Sequence, residues 1–174
     1  IVTMASHTHR APMVDETKPA LGAFSREYLE QLKEGLIELR RRLLNTPSTA
    51  VSLRAGRHIG HHSINRRLRK RIVISRRPGF NRFVHGPNPR GVTDESIWTL
   101  RWVDDSNQTV AVLWNYACHP VGHPMRNQFS AHFAGFIRDD LRFRLGPVPV
   151  LFMQGFSGDT RPSATAKLHG WRRR

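Results

Sequence analysis

Two runs of β-branched and aromatic residues, Ile97 to Val103 and Thr109 to Tyr116, face each other across the turn sequence Asp104-Asp105-Ser106-Asn107. Such a pair reads as a β-hairpin. Ser130 can cap a helix from about Ala131 to Leu145, which Gly146-Pro147 closes, and an apolar strand follows from Val148 to Met153. This order of strands and helix argues for layered α/β or α+β packing. Of the two we expect α/β: a layered mixed sheet flanked by helices, in an incomplete domain.

The rest of the chain is read against that centre. Ile1 to Ser6 has the composition of a short buried strand, and Ala11 to Gly22, with Pro12, Pro19 and Gly22, that of a loop. Ser25 caps an expected helix to about Leu44, with Tyr28, Leu29, Leu32, Leu36, Leu39 and Leu43 at helical spacing. Val51 to Arg57 and Ile72 to Ser75 are expected as strands, and Arg76 to Gly91 as a loop rich in Pro, Gly and Asn. No internal repeat is evident.

The 174 residues suffice for one domain with a sizeable core, and 39% hydrophobic residues argue against a wholly disordered chain. The net charge of +15 points to an anionic partner such as nucleic acid or a phospholipid surface. The charge gathers at Arg40 to Arg42, Asn65 to Arg71, Arg76-Arg77 and the terminal Trp-Arg-Arg-Arg. The first group suits a helix C-terminus. The aromatic residues sit inside apolar strands, where they form core more readily than stacking platforms, so nucleic acid is the weaker partner. A single cysteine, Cys118, excludes a disulfide framework and a Cys-rich zinc module. The chain opens on Ile1 with no starting Met, which reads as a fragment or processed piece.

Polar chemistry collects where apolar runs stop. Ile1 to Ala5 leads into His7 and His9, Thr109 to Tyr116 into His119 and His123, and Val148 to Met153 into Gln154, Ser157 and Asp159. If the three runs are parallel neighbours, their ends converge on one cleft. Two His spaced by one residue share a strand face, and neutral imidazole is a common zinc ligand. A water on zinc ionises near neutral pH and can attack a carbonyl. Taken alone, the His-Thr-His pair reads more readily as polar residues at a surface than as a metal or catalytic motif. His58, His61 and His62 beside the basic run read as solvated loop residues, and no spacing pairs His85, His132 or His169.

Five segments in one order, ASHTHRAP, NRR, NYACHPV, FSAHFAGFIRDDL and VLFMQGFSGDTRP, resemble the N-terminal domain of the neutral/alkaline non-lysosomal ceramidase family. The match runs from Ile1 to about Pro162, and residues 163–174 read as a basic unstructured tail, truncated or frame-shifted. The resemblance implies a zinc-dependent amidohydrolase that cleaves the amide of N-acylsphingosine, and a secreted or membrane-associated setting. It implies His7 and His119 as zinc ligands and His9 as the catalytic histidine near the scissile group. Arg66 would be the substrate-binding arginine, although Arg67 can be aligned there instead. It further implies a Glu and a Tyr ligand from farther along the family's chain, beyond the residues present here. Three positions depart from the family pattern: Arg161 replaces the Ser proposed as nucleophile, His132 an Asp, and Ala134 a Pro. The competing reading is a basic module that binds nucleic acid or an anionic membrane without catalysis; a third is a remnant that keeps the fold and has lost the site.

Overall fold

The computed structural model describes residues 2–73, 79–122 and 128–164. After a short 3-10 turn at Pro19–Leu21, the order is α1 (Arg26–Asn45), β1 (Ser52–Ile59), β2 (Ser63–Ile72), β3 (Phe80–Asn88), β4 (Ser96–Val103), β5 (Thr109–Tyr116), α2 (His132–Leu145), β6 (Val150–Gln154) and β7 (Thr160–Pro162). The strands form a four-stranded sheet ordered β1-β4-β5-β6 and a three-stranded sheet ordered β3-β2-β7. The architecture is α/β, with mixed sheets and two helices.

The centre follows the sequence closely. β4 and β5 are an antiparallel pair, with Thr99 opposite Trp114 and Ile97 opposite Tyr116. β5 and β6 run parallel, with Trp114 opposite Phe152. Parallel neighbours need a long crossover, and α2 lies within it. Alternate β5 residues Val112, Trp114 and Tyr116 are buried with Cys118, Ala134 and Val150. Their period of two is that of a strand turning one face inward. Phe152 packs on Trp114 with ring centroids 4.5 Å apart, and Phe133 of α2 closes the cluster at 5.6 Å from Phe152. Because β5 and β6 point the same way, the segments leaving them emerge at one sheet edge.

α1 forms where the leucine spacing and Ser25 place it. The Ser25 hydroxyl accepts from the Tyr28 N–H at 3.1 Å, and Glu30–Lys33 and Glu38–Arg41 ion pairs lie along its exposed surface. Arg42 stands in its last turn. The helix nevertheless buries no residue. Local capping and propensity are thus enough to set its helical form.

Two expectations are corrected, and one segment without an expectation proves to be strand. Residues 2–6 form no strand, and Val2 is 86% exposed. An isolated extended segment has no ladder partner for its backbone, and among the described residues no strand pairs with this one. Residues 80–88, expected within a loop, form strand β3. Gly86 and Pro87 suggested a loop, but among the described residues β3 pairs only with β2 and so lies at a sheet edge, where a proline needs no ladder donor. The basic run Asn65 to Arg71 is itself strand, in β2, with Arg69 opposite Phe83 and Lys70 opposite Arg82. Pairing with β3 from Arg67 to Arg71 overrides the low strand preference of charged residues. The expected strand residues Ile74 and Ser75, the pair Arg76-Arg77, His123, His169 and most of the expected tail lie outside the described residues.

Candidate functional site

The edge where β5 and β6 end is built from backbone hydrogen bonds that bring two exit segments together. The Gly155 N–H donates to the Tyr116 carbonyl at 3.1 Å. A Cβ on Gly155 would stand 2.9 Å from both N and Cα of Ala117, so only glycine permits this approach. The Thr160 hydroxyl donates to the Ala117 carbonyl at 2.8 Å, and the Gln154 amide donates to the Cys118 carbonyl and to the Ser157 hydroxyl. His119 is thereby fixed beside the loop of residues 154–159. It is 4% exposed.

The His7-Thr8-His9 segment reaches the same edge by a different route from the one expected. No strand carries it. The Thr8 hydroxyl donates to the Ser130 carbonyl at 2.8 Å, and the Ser130 N–H donates to the Arg10 carbonyl at 3.1 Å. These bonds tie the segment to the residues just before α2. His7 has φ of 59°, in the left-handed region, which histidine enters more readily than most residues. The resulting bend, rather than strand alternation, turns both imidazoles toward His119.

His7, His9 and His119 each offer a ring nitrogen, and these atoms all lie within 4.8 Å of one another. Ring centroids are 4.5 Å apart for His7 and His119, and 4.8 Å for His9 and His119. His119 Nδ1 is 3.1 Å from the Ser157 carbonyl oxygen. A carbonyl only accepts, so Nδ1 carries the proton and Nε2 is left as a lone pair. That Nε2 lies 2.9 Å from His9 Nε2. In this arrangement His9 Nε2 donates to His119 Nε2. Burial, opposed by the Ser157 bond, holds the His119 pKa down at about 4; Arg66, His7 and His9 add smaller repulsions. The His9 pKa is lowered too, first by burial and then by His7 and Arg66. Both imidazoles are therefore neutral at pH 7, the form that ligates a metal.

His7, His119 and Arg66 line a solvent-open cavity of about 720 Å³ together with the 154–159 loop. Arg66 Nε and Nη2 both donate to the Gly158 carbonyl, at 3.1 and 2.8 Å. The Arg66 pKa is lowered, by burial first and then by the charges of Arg67 and Arg161, against the opposing effect of Asp159. Arg67, the alternative on sequence, pairs with His85 across the β2–β3 ladder, is exposed, and is not part of the cavity wall. A second cavity of about 280 Å³ borders His9 and is edged by Phe129.

Of the residues the sequence singled out, His7, His119, Arg66, Gln154, Ser157 and Asp159 line one cavity, and His9 joins His7 and His119 from the edge of the second. It missed Thr8 and Ser130 as the pair that carries the first two histidines there. Polar residues flanking a histidine pair are a signal, but one shared by countless loops. Of the other histidines, His58 is exposed on β1 and His61 pairs with Glu95 at 2.8 Å. His132, which replaces the family's Asp, is buried at the start of α2.

No family model matches the chain, and no curated protein matches it in sequence. Among solved structures, the fold is similar to the neutral ceramidase from Pseudomonas aeruginosa, at 14% identity and a TM-score of 0.59, over 80% of this chain and 21% of that one. A ceramidase complexed with C2 is similar over 66% of this chain and 17% of its own length, at 14% identity and a TM-score of 0.47. The chain thus spans about a fifth of the length of the Pseudomonas protein. At this identity the likeness is one of fold.

Proposed function

We propose that this chain is the N-terminal part of a zinc-dependent amidohydrolase of the ceramidase type, acting on a lipid amide. The observation that carries the reading is the meeting of His7, His9 and His119 at one sheet edge, beside a cavity that also presents a guanidinium. The fold likeness to a neutral ceramidase supports it.

The donor set fits zinc. A catalytic zinc takes about three protein ligands and keeps a further position open. Here the buried His119 Nε2 has its tautomer set by Ser157, as outer partners set that of metal-bound histidines. His7 and His119 would hold the ion, with His9 in the same reach. When bound, the ion would polarise the amide carbonyl as a Lewis acid.

The chain's own residues supply the rest. His9 borders the second cavity as a neutral imidazole, which can take a proton from the attacking water at Nδ1 and then, as an imidazolium of lowered pKa, pass it to the leaving amine. Arg66 spends two N–H groups on Gly158 and has three left to orient a carbonyl or oxyanion. Phe156, 100% exposed on the loop beside His119, and Phe129, 79% exposed beside His9, offer apolar surface at the cleft mouths for an acyl or sphingoid chain.

Zinc content of the purified protein tests this reading. Near-stoichiometric zinc in the wild type, lost in His7→Ala and His119→Ala, is expected. Wild-type protein that gains no zinc from a zinc-buffered solution would overturn it.

A specific surface favours membrane docking as an accompanying property. The β2–β3 ribbon carries Arg67, Arg69, Lys70, Arg71 and Arg82 without an acidic residue on either strand. Phe83 opposite Arg69 is 66% exposed, and Phe80 at the ribbon's end is also exposed. Cations around exposed aromatic rings suit the headgroup layer of an anionic bilayer, which is where a lipid amide resides.

A further inference from the structure

Arg161 is the least comfortable charge in the molecule. It lies on β7 and is only 6% exposed, yet among the described residues its guanidinium makes no hydrogen bond and no ion pair, and its Nε is fully enclosed. Arginine keeps its proton in proteins. Enclosing such a charge without a partner is strongly unfavourable, so a buried and unpaired guanidinium calls for a counter-anion.

The ladder shows what Arg161 is beside. Arg161 stands opposite Ile64 of β2, and the pairing continues through Asn65–Thr160. The Arg66 N–H then donates to the Asp159 carbonyl at 2.6 Å. Side chains alternate across a strand, so Arg161 shares a face with Ile64 and with Arg66, its diagonal neighbour. Thr160 and Asn65 occupy the opposite face, and Asn65 donates to the Asp159 carboxylate at 3.1 Å. Asp159 forms no ion pair with either arginine among the described residues. Two guanidiniums thus share one sheet face; Arg66 is in the wall of the histidine cavity and Arg161 is not. The one carboxylate in that wall, Asp159, acts on Arg66 and offsets at most one of the two charges.

We propose that Arg161 and Arg66 form a carboxylate-binding subsite at the histidine cavity, and that the amide accepted here is anionic, an N-acyl amino acid rather than a neutral N-acylsphingosine. The planar forks of two arginines match a carboxylate's oxygens, and the pairing supplies the counter-charge that the enclosed Arg161 lacks. That the ligand is an amide rests on the hydrolase reading; that it is an anion rests on Arg161 and Arg66 alone.

The test is calorimetric binding of N-lauroylglycine and N-lauroylethanolamine, two amides matched in chain and differing in the carboxylate, below their micelle concentrations. The wild-type protein is expected to prefer the glycine conjugate by at least about tenfold. Arg161→Met and Arg66→Gln are each expected to bring the two affinities within about twofold. Arg161→Lys keeps the charge without the fork and is expected to fall between. The melting temperature of each variant reports folding, and Arg161→Lys preserves the test should Arg161→Met not fold. Equal binding of both amides, binding of neither, or a preference that survives in the folded arginine variants would overturn the subsite. Zinc content separates this from the hydrolase reading: zinc without the preference removes only the subsite, and the preference without zinc removes only the hydrolase.

Discussion

His9 Nε2 and His119 Nε2 stand 2.9 Å apart although 110 positions separate them in the chain. Two neutral imidazoles meet this closely only if one donates and the other accepts, and the Ser157 carbonyl decides which. A metal ligand must present a lone pair. For His9 to join His119 on an ion, its proton has to leave Nε2 for Nδ1 or for solvent.

Zinc affinity should therefore separate the three histidines. His119→Ala removes a buried and pre-oriented ligand and is expected to weaken zinc binding by at least about a hundredfold, the upper range of the effect that outer partners alone can have. His7→Ala should do the same. His9→Ala should retain zinc to within about tenfold if His9 handles the proton rather than holding the ion. Competition against a chromogenic chelator measures all three, and a His9→Ala loss as large as the others would make His9 a ligand.

Gly155→Ala tests the seam that joins the β5 and β6 exits. A methyl group there meets the Ala117 backbone at 2.9 Å, and backbone cannot rotate away as a side chain can. Overpacking of this kind costs about 1–3 kcal/mol. The variant should melt several degrees lower and bind zinc less tightly, because His119 follows directly after Cys118 on the displaced segment. Gly158→Ala, where nothing lies within 4 Å of the added Cβ, is the control and should leave both unchanged.

Much of this arrangement could be read from the amino acids, and the failures have physical reasons. The β4–β5 hairpin, α2 and β6 carry their burial in their own periodicity, so Val112, Trp114 and Tyr116 could be placed on one face before any coordinates. β3 could not, because an edge strand tolerates Gly86 and Pro87 and so looks like a loop. The basic stretch of β2 hides its strand character behind charge. The histidines were recognisable by type, but their meeting depends on Thr8 and Arg10 bonding to Ser130, contacts more than a hundred residues long that leave no local pattern. Arg161 stood out only as a departure from a motif; its burial belongs to the β2–β7 ladder.

Acid should destabilise the metal-free protein earlier than its carboxylates would. The His119 pKa falls from 6.5 to about 4 on folding because burial disfavours the imidazolium. Between these values the unfolded chain binds more protons than the folded one, so stability decreases as pH drops through this window and is fully present above 6.5. His9, shifted in the same direction, adds to the effect. Melting temperatures taken in chelator from pH 7.5 to 4 should fall, and His119→Gln should flatten the slope between pH 6.5 and 4. An unaltered slope in that variant would assign the dependence to other groups.

The β2–β3 ribbon should carry the protein to anionic lipid. Each basic residue near such a surface contributes about 1 kcal/mol, and the attraction falls off within a Debye length of about 8 Å at physiological salt. Co-sedimentation with phosphatidylserine vesicles is therefore expected at low salt, with little binding to phosphatidylcholine. Arg69→Glu with Arg71→Glu should weaken it about tenfold or more, and Phe83→Ser should weaken the salt-resistant part, because insertion of the ring does not depend on ionic strength. Arg69, Arg71 and Phe83 line neither of the cavities beside the histidines, so zinc content should be the same in all of these variants. Equal binding of the Phe83→Ser variant and a stronger affinity for duplex DNA than for vesicles would make the ribbon a polyanion-binding surface, with the exposed rings playing no part.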